Sequence, residues 1–167
     1  MTLATGLTLA RIALTLPVVL AILFGFGLLA AILLGMAALT DFADGWVART
    51  RNQVTPIGAV LDPIADKILN LSVMVGLVAA GTLSGPHLIP VFAIVFRELF
   101  ISGLREGGAQ IKLPVTALAK VKTTVQFIAL VALCFGPSVI ALGLFWLAAV
   151  LTLWTGADYM RRWLNIE

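Results

Sequence analysis

The sequence predicts an all-α integral membrane protein: six transmembrane helices, a short N-terminal interfacial segment, and both termini in the cytoplasm. Three observations carry this expectation. Of the 167 residues 61% are hydrophobic and 11% charged, whereas a soluble domain carries roughly 25% charged residues. The apolar residues fall in runs long enough to cross a bilayer, which takes about 20 residues of helix. The 11 Lys and Arg residues all lie on one side of the layout those runs define.

In chain order, the opening MTLATGLTLAR is too short to span and is expected to lie along the interface as an amphipathic lead-in. Spans are expected at 12–29, 30–49, 58–80, 87–105, 117–135 and 138–160. Arg11 before an apolar run resembles the start of a signal peptide, but no convincing cleavage site follows, so the segment reads as mature structure. Pro17 and Pro63 fall inside spans and are expected to kink them, which is tolerable where neighbours satisfy the freed carbonyls. The connections at 24–30, 81–87 and 135–138 contain no Lys or Arg. Arg11, Arg49, Arg51, Lys67, Arg97, Arg105, Lys112, Lys120, Lys122, Arg161 and Arg162 lie on the opposite side. The positive-inside rule then puts both termini and the 50–57 and 106–116 loops in the cytoplasm. Trp46, Trp154 and Trp163 fall near the predicted interfaces, where aromatic residues gather. The length suits a single domain, 1–167, with no room for a separate soluble catalytic module.

Several chemistries are excluded by composition. Cys134 is the one cysteine, so neither an intrachain disulfide nor a cysteine metal cluster can form. His87 is the one histidine and cannot build a histidine metal site. GLREGG at 103–108 looks like a phosphate loop only superficially, because no preceding strand or P-loop lysine spacing accompanies it.

Against this apolar background, the stretch DFADGWVARTRNQVTPIGAVLDPIADK at 41–67 holds Asp41, Asp44, Asp62 and Asp66, half of the eight acidic residues. An ionised carboxylate in a membrane segment costs several kcal/mol unless it is paired, hydrated or metal-bound. Helical spacing puts Asp41, Asp44, Gly45 and Ala48 on one stripe, and Gly58, Asp62 and Asp66 on another. The short loop between them makes the two helices antiparallel neighbours whose acidic stripes are expected to face each other. Four converging carboxylates repel unless cations intervene. Oxygen ligands without His or Cys favour Mg²⁺, Mn²⁺ or Ca²⁺. Two divalent ions would balance four carboxylates, the arrangement used for in-line displacement at phosphorus. The small residues on the stripes let a bulky ligand approach the backbone, and Arg49, one turn beyond Gly45, is placed to meet a phosphate. Solvated helix ends paired with Arg49, Arg51 and Lys67, or a cation-transport site, are the competing readings.

The pattern Asp41-x2-Asp44-Gly45-x2-Ala48-Arg49-x8-Gly58-x3-Asp62-x3-Asp66 resembles the complete signature of the CDP-alcohol phosphotransferases. The resemblance implies a six-helical, usually homodimeric enzyme that transfers a phosphatidyl or phospho-alcohol group from a CDP-linked donor to an alcohol and releases CMP. It implies a site for Mg²⁺ or Mn²⁺, two ions in all, on Asp41, Asp44, Asp62 and Asp66, with Asp66 also the general base. Gly45, Ala48, Arg49 and Gly58 would line the cytidine diphosphate pocket. The enzyme would sit in the bacterial cytoplasmic (inner) membrane with its site facing the cytoplasm.

The second half of the chain must choose the acceptor. Arg97 and Arg105 are eight apart and share a helix side, and Lys120 and Lys122 open the next span. Such a cluster suits an acceptor that carries its own phosphate. Lys112, Arg161 and Arg162 read as positive-inside anchors instead. Glu98, next to Arg97, is expected to point elsewhere on its helix, unless it pairs with a neighbouring span. The segments RELFISGLRE, AKVKTT and AAVLTLW resemble the bacterial branch of the family that makes phosphatidylglycerophosphate. That resemblance implies CDP-diacylglycerol and sn-glycerol 3-phosphate as substrates, with Arg97, Arg105, Lys120 and Lys122 holding the acceptor phosphate. One departure is Ala4-Thr5, where that branch often carries Pro-Asn. Inositol phosphate, serine or phosphatidylglycerol as acceptor, a membrane prenyltransferase and a divalent-cation transporter remain alternatives.

Overall fold

The computed structural model of the chain describes residues 3–51, 56–107 and 117–165, with the side chains at 3–5, 7, 41–51, 56–60, 62, 105–107 and 117 outside that description. Its helices are α1 (Leu3–Leu23), α2 (Gly27–Arg51), α3 (Pro56–Ala79), α4 (Leu88–Gly107), α5 (Ala117–Cys134) and α6 (Val139–Leu164), with a 3-10 turn at Gly85–His87 before α4. No strand occurs among the described residues. One helix answers to each expected span. This is the form an apolar chain takes when every backbone polar group must be satisfied within its own segment. Among the described residues, Gly85–Leu104 and Val139–Leu164 are long and apolar enough to cross a membrane, and Thr8–Leu23 and Gly27–Thr40 are shorter apolar stretches.

Two expectations about the first span change. The lead-in is no separate element, because α1 runs unbroken from Leu3 through Arg11 to Leu23. Nothing in LATGLTLAR forces a break, as the first proline of the chain is Pro17. The first span is also shorter than expected, ending at Leu23, and the turn after it falls within the connection expected at 24–30. Gly25 adopts φ 76, its N–H donates to the Ile22 carbonyl at 3.1 Å, and the Phe26 N–H donates to the Ala21 carbonyl at 2.8 Å. This pair of bonds around a left-handed glycine closes the C-terminus of a helix.

The chain divides into two compact units, Met1–Thr82 with Cys134–Gly136, and Leu83–Leu133 with Pro137–Glu167. In the first, α1 packs along both α2 and α3. Its buried stripe is Thr8, Arg11, Thr15, Val18 and Ile22, the three-and-four spacing of one helix face. Small residues such as Ala30, Ala37 and Ala65 are buried on α2 and α3. At Gly76 an added Cβ would lie 3.4 Å from Val19 Cγ1, so α3 approaches α1 closely there. Close approach over small residues is how helices associate where no hydrophobic force separates lipid from protein.

In the second unit α4 packs on α6. Val91, Ile94 and Ile101 are buried on α4, and Ala141, Phe145, Ala148 and Ala149 on α6. Ser138 caps α6, its Oγ accepting from the Ala141 N–H at 3.1 Å. Trp146 Nε1 donates to His87 Nδ1 at 3.2 Å and ties the 3-10 turn to α6. Large apolar side chains such as Phe92, Phe96, Ile140 and Trp154 are exposed. Large apolar side chains left exposed in such number suit a membrane or partner face.

Gly25→Ala tests the first turn. Open space surrounds the position, so the cost is purely that of the left-handed backbone, about 1 kcal/mol. A thermal melt of the detergent-solubilised protein should show a lower midpoint, and Gly25→Asn, which tolerates this conformation, should show a smaller drop.

Candidate active site

Both halves of the aspartate stretch are helical. Asp41, Asp44, Gly45, Ala48 and Arg49 lie in the last turns of α2, and Gly58, Asp62 and Asp66 in the first turns of α3. The backbone therefore supplies the spacing that puts each set on one helix face. The facing of the two acidic stripes lies outside the described side chains, of which Asp66 is one. Among the described residues no three His, Cys, Asp or Glu side chains gather as a metal group.

Asp66 is half-buried and has a partner that the sequence reading missed. Asn70, one turn further along α3, donates from Nδ2 to the Asp66 carbonyl at 2.9 Å and to Asp66 Oδ1 at 3.1 Å. The amide is thus clamped to both the backbone and the carboxylate of one residue. The signal was available as an Asn four residues after an Asp on a helical stripe. Pro63 lies inside α3, and Pro17 inside α1, as placed from sequence.

In the second unit, three helices bring polar side chains together inside apolar surroundings. Glu98 Oε1 receives Arg97 Nη1 at 3.0 Å and Lys122 Nζ at 2.5 Å. Glu98 therefore does not point away from Arg97, and it joins α4 to α5. Arg97 Nη2 donates to Thr155 Oγ1 on α6 at 3.3 Å. Thr155 in turn donates to the Leu151 carbonyl at 2.8 Å. Gly156 makes room for this arrangement, since a Cβ there would meet Arg97 Cγ at 3.0 Å. Lys122 is 5% exposed, so its charge sits where an unpaired ammonium would be costly. Two cations against one carboxylate leave the cluster with one net positive charge.

Of the four cations expected at the acceptor phosphate, Arg97 and Lys122 converge on this cluster. Lys120 is exposed at the start of α5, and the side chain of Arg105 is outside the description. Arg161 and Arg162 are exposed on the last turn of α6, with Arg162 Nη2 2.9 Å from Asp158 Oδ2. Lys112 is outside the described residues. Arg11 departs from the anchoring role of its neighbours in the charge pattern. It is 1% exposed and faces inward on α1 with Thr8 and Thr15.

The chain as a whole is similar to known proteins. A model of the CDP-alcohol phosphatidyltransferase family matches residues 1–154, and the chain belongs to that family of enzymes. It is 40% identical over 169 residues to the CDP-diacylglycerol–glycerol-3-phosphate 3-phosphatidyltransferase of Rickettsia bellii (strain RML369-C), a match covering 93% of this chain and 91% of the relative. Proteins of the same name from Escherichia coli (strain K12) and Shigella flexneri serotype 5b (strain 8401) are each 41% identical over 139 residues, 78% of this chain and 76% of theirs. The family is generally dependent on divalent metal.

Glu98→Gln should destabilise the protein by roughly 2–3 kcal/mol, because it strands two largely buried cations. Gly156→Ala should cost about 1 kcal/mol by pushing Arg97 off α6. Detergent melts check both, and the two effects should fall short of adding in the double variant because both act on Arg97.

Proposed function

We propose that the chain, as a single six-span domain of the bacterial inner membrane, transfers the phosphatidyl group of CDP-diacylglycerol to sn-glycerol 3-phosphate. The products are phosphatidylglycerophosphate and CMP. The observation that carries this reading is the eight-position signature on the last turns of α2 and the first turns of α3, in a chain 40% identical to an enzyme of that name over 93% of its length. Cytoplasmic termini and a homodimer accompany the reading.

The donor set suits the metal that the family needs. Four carboxylates, with no His or Cys near them in the sequence, are hard oxygen ligands of the kind that bind Mg²⁺ or Mn²⁺. Asp41, Asp44, Asp62 and Asp66 would hold it, two ions in all, and when bound it would neutralise the pyrophosphate and the charge developing on the leaving group. Arg49 adds a fixed cation for the same phosphates, and Gly45, Ala48 and Gly58 leave space for the cytidine diphosphate. Acyl chains of the donor stay in the bilayer while the head group enters from the cytoplasmic side.

Asp66 takes the proton of the acceptor's terminal hydroxyl as that oxygen attacks the phosphorus bearing the diacylglycerol. The new O–P bond forms as the bond from phosphorus to the CMP oxygen breaks, and CMP leaves with the electron pair. A sugar-like hydroxyl is a weak nucleophile, so a carboxylate base contributes directly to rate. Asn70 holds that carboxylate in one orientation through the 3.1 Å bond to Oδ1. On the acceptor side, the net positive cluster of Arg97 and Lys122, with Lys120 and Arg105, supplies the charge-assisted donors a phosphate monoester requires. Serine and inositol carry no phosphate to meet them.

Purified protein given CDP-diacylglycerol, Mn²⁺ and a panel of alcohols tests this through CMP release. Turnover is expected with glycerol 3-phosphate and little with serine, inositol or inositol phosphate; equal rates across the panel would overturn the acceptor assignment. Asp66→Asn should lower turnover by about 10²–10⁴, and Asn70→Ala by roughly tenfold, the loss of one hydrogen bond to a charged group. A wild-type rate in Asp66→Asn would remove Asp66 as the base.

A further inference from the structure

The cation cluster accounts for a phosphate but leaves other polar atoms in the same unit without an explanation. Arg97 Nε, Gln126 Oε1 and Thr152 Oγ1 are all buried with no hydrogen-bond partner among the described residues. Gln126 is 4% exposed and Thr152 fully buried. An amide oxygen left unpaired in apolar surroundings is unfavourable by about 1–3 kcal/mol. Such a residue in the middle of an apolar helix points to something that the site receives.

Chain order sets the depth of these atoms. Gln126 lies four residues after Lys122 on α5, and Thr152 three residues before Thr155 on α6. The helices α4 and α6 end, and α5 begins, on the same side of the unit, so both steps lead away from that side. Gln126 and Thr152 therefore lie at similar depth on their own helices, about one helical turn, ~6 Å, beneath the level of Arg97, Glu98, Lys122 and Thr155. The hydrogen bond from Thr155 Oγ1 to the Thr152 carbonyl, 3.1 Å, links the two levels on α6. Cations above and an unsatisfied carbonyl oxygen below suit a short polyol phosphate. Its phosphate meets the donors, and a hydroxyl one or two carbons away meets the acceptor.

We infer that Gln126 is a specificity-determining residue whose side-chain oxygen accepts a hydrogen bond from the non-reacting hydroxyl of the acceptor. This rests on the proposed binding of glycerol 3-phosphate at Arg97 and Lys122. The terminal hydroxyl is the one consumed in the reaction, which leaves the secondary hydroxyl for Gln126. A site built to bond a hydroxyl discriminates strongly against the analogue that lacks it, because its own polar group is then stranded. Thr152, with a hydroxyl that donates or accepts, lies at similar depth on α6.

The test is a substrate-by-variant cycle with CMP release as the readout. Wild type, Gln126→Met and Gln126→Asn are each given glycerol 3-phosphate and 3-hydroxypropyl phosphate, which lacks the secondary hydroxyl. Wild type should prefer glycerol 3-phosphate by at least about tenfold in kcat/KM. Both variants should bring that preference to within about threefold by losing rate on glycerol 3-phosphate alone. Met keeps the length and removes the acceptor; Asn keeps the amide but withdraws it by one methylene, and it decides the matter if the Met variant does not fold. A purely structural role would depress both substrates equally, and an unchanged preference in the folded variants, or none in wild type, would overturn the inference. Unphosphorylated glycerol separates the two levels. If wild type used it as well as glycerol 3-phosphate, the phosphate-binding reading itself would fail; rejection of glycerol with an unchanged variant preference would fail Gln126 alone.

Discussion

A charge inside an apolar helix bundle must find its counter-charge within a few ångströms, and this constraint shapes the whole molecule. Glu98 shows it most clearly, with one carboxylate oxygen holding a guanidinium from its own helix and an ammonium from α5. Replacing any one of the three strands the others in a medium that solvates them poorly. The result is a unit in which polar contacts at one level tie α4 to both α5 and α6, while α4 also packs on α6. The exposed pair of Asp158 and Arg162, four apart on α6, has water-accessible charges and holds nothing of comparable consequence.

The same constraint explains the uneven distribution of charge along the chain. Asp41, Asp44, Asp62 and Asp66 are the only acidic residues in the first unit. Their proposed counter-charges are the divalent ions of the donor site, with Arg49 as a further cation for the pyrophosphate of the donor. In the second unit cations outnumber the carboxylate at the Glu98 cluster, and the proposed missing charge is the acceptor phosphate. A donor that needs metal and an acceptor that needs cations are thus recognised by opposite local excesses of charge. The relatives that share about 40% of the residues carry both substrates in their names.

Much of the helical plan was legible because an apolar run of about twenty residues has few alternatives to a helix. The aspartate spacing was legible for a related reason, since the 3.6-residue period converts sequence distance directly into a shared face. What escaped were features that depend on a particular partner. Hydropathy does not distinguish Gly25, in its left-handed turn, from the apolar residues around it, so the span was drawn to residue 29 even though the connection at 24–30 held the turn. The positive-inside rule treats every cation alike, and so it did not separate buried Arg11 from exposed Arg161. Adjacent residues on a helix diverge, which argued against a pair between Arg97 and Glu98, yet the long arginine side chain curls back to reach Oε1. Asn70 and Gln126 were passed over because a lone amide carries no charge signal. Both become informative only once a carboxylate beside one and the empty hydrogen-bond register of the other are in view.

The proposed metal site on four aspartates is the step from which the donor chemistry follows, and binding can be measured without turnover. Purified protein freed of metal would be titrated with Mn²⁺, with the free ion followed by electron paramagnetic resonance. Two Mn²⁺ per chain are expected for the wild type, with at least one lost in Asp62→Asn while the helical circular dichroism is retained. A wild type that binds no Mn²⁺ even with CDP-diacylglycerol present, or an Asp62→Asn variant that binds as wild type does, would contradict the assignment of the aspartates as metal ligands.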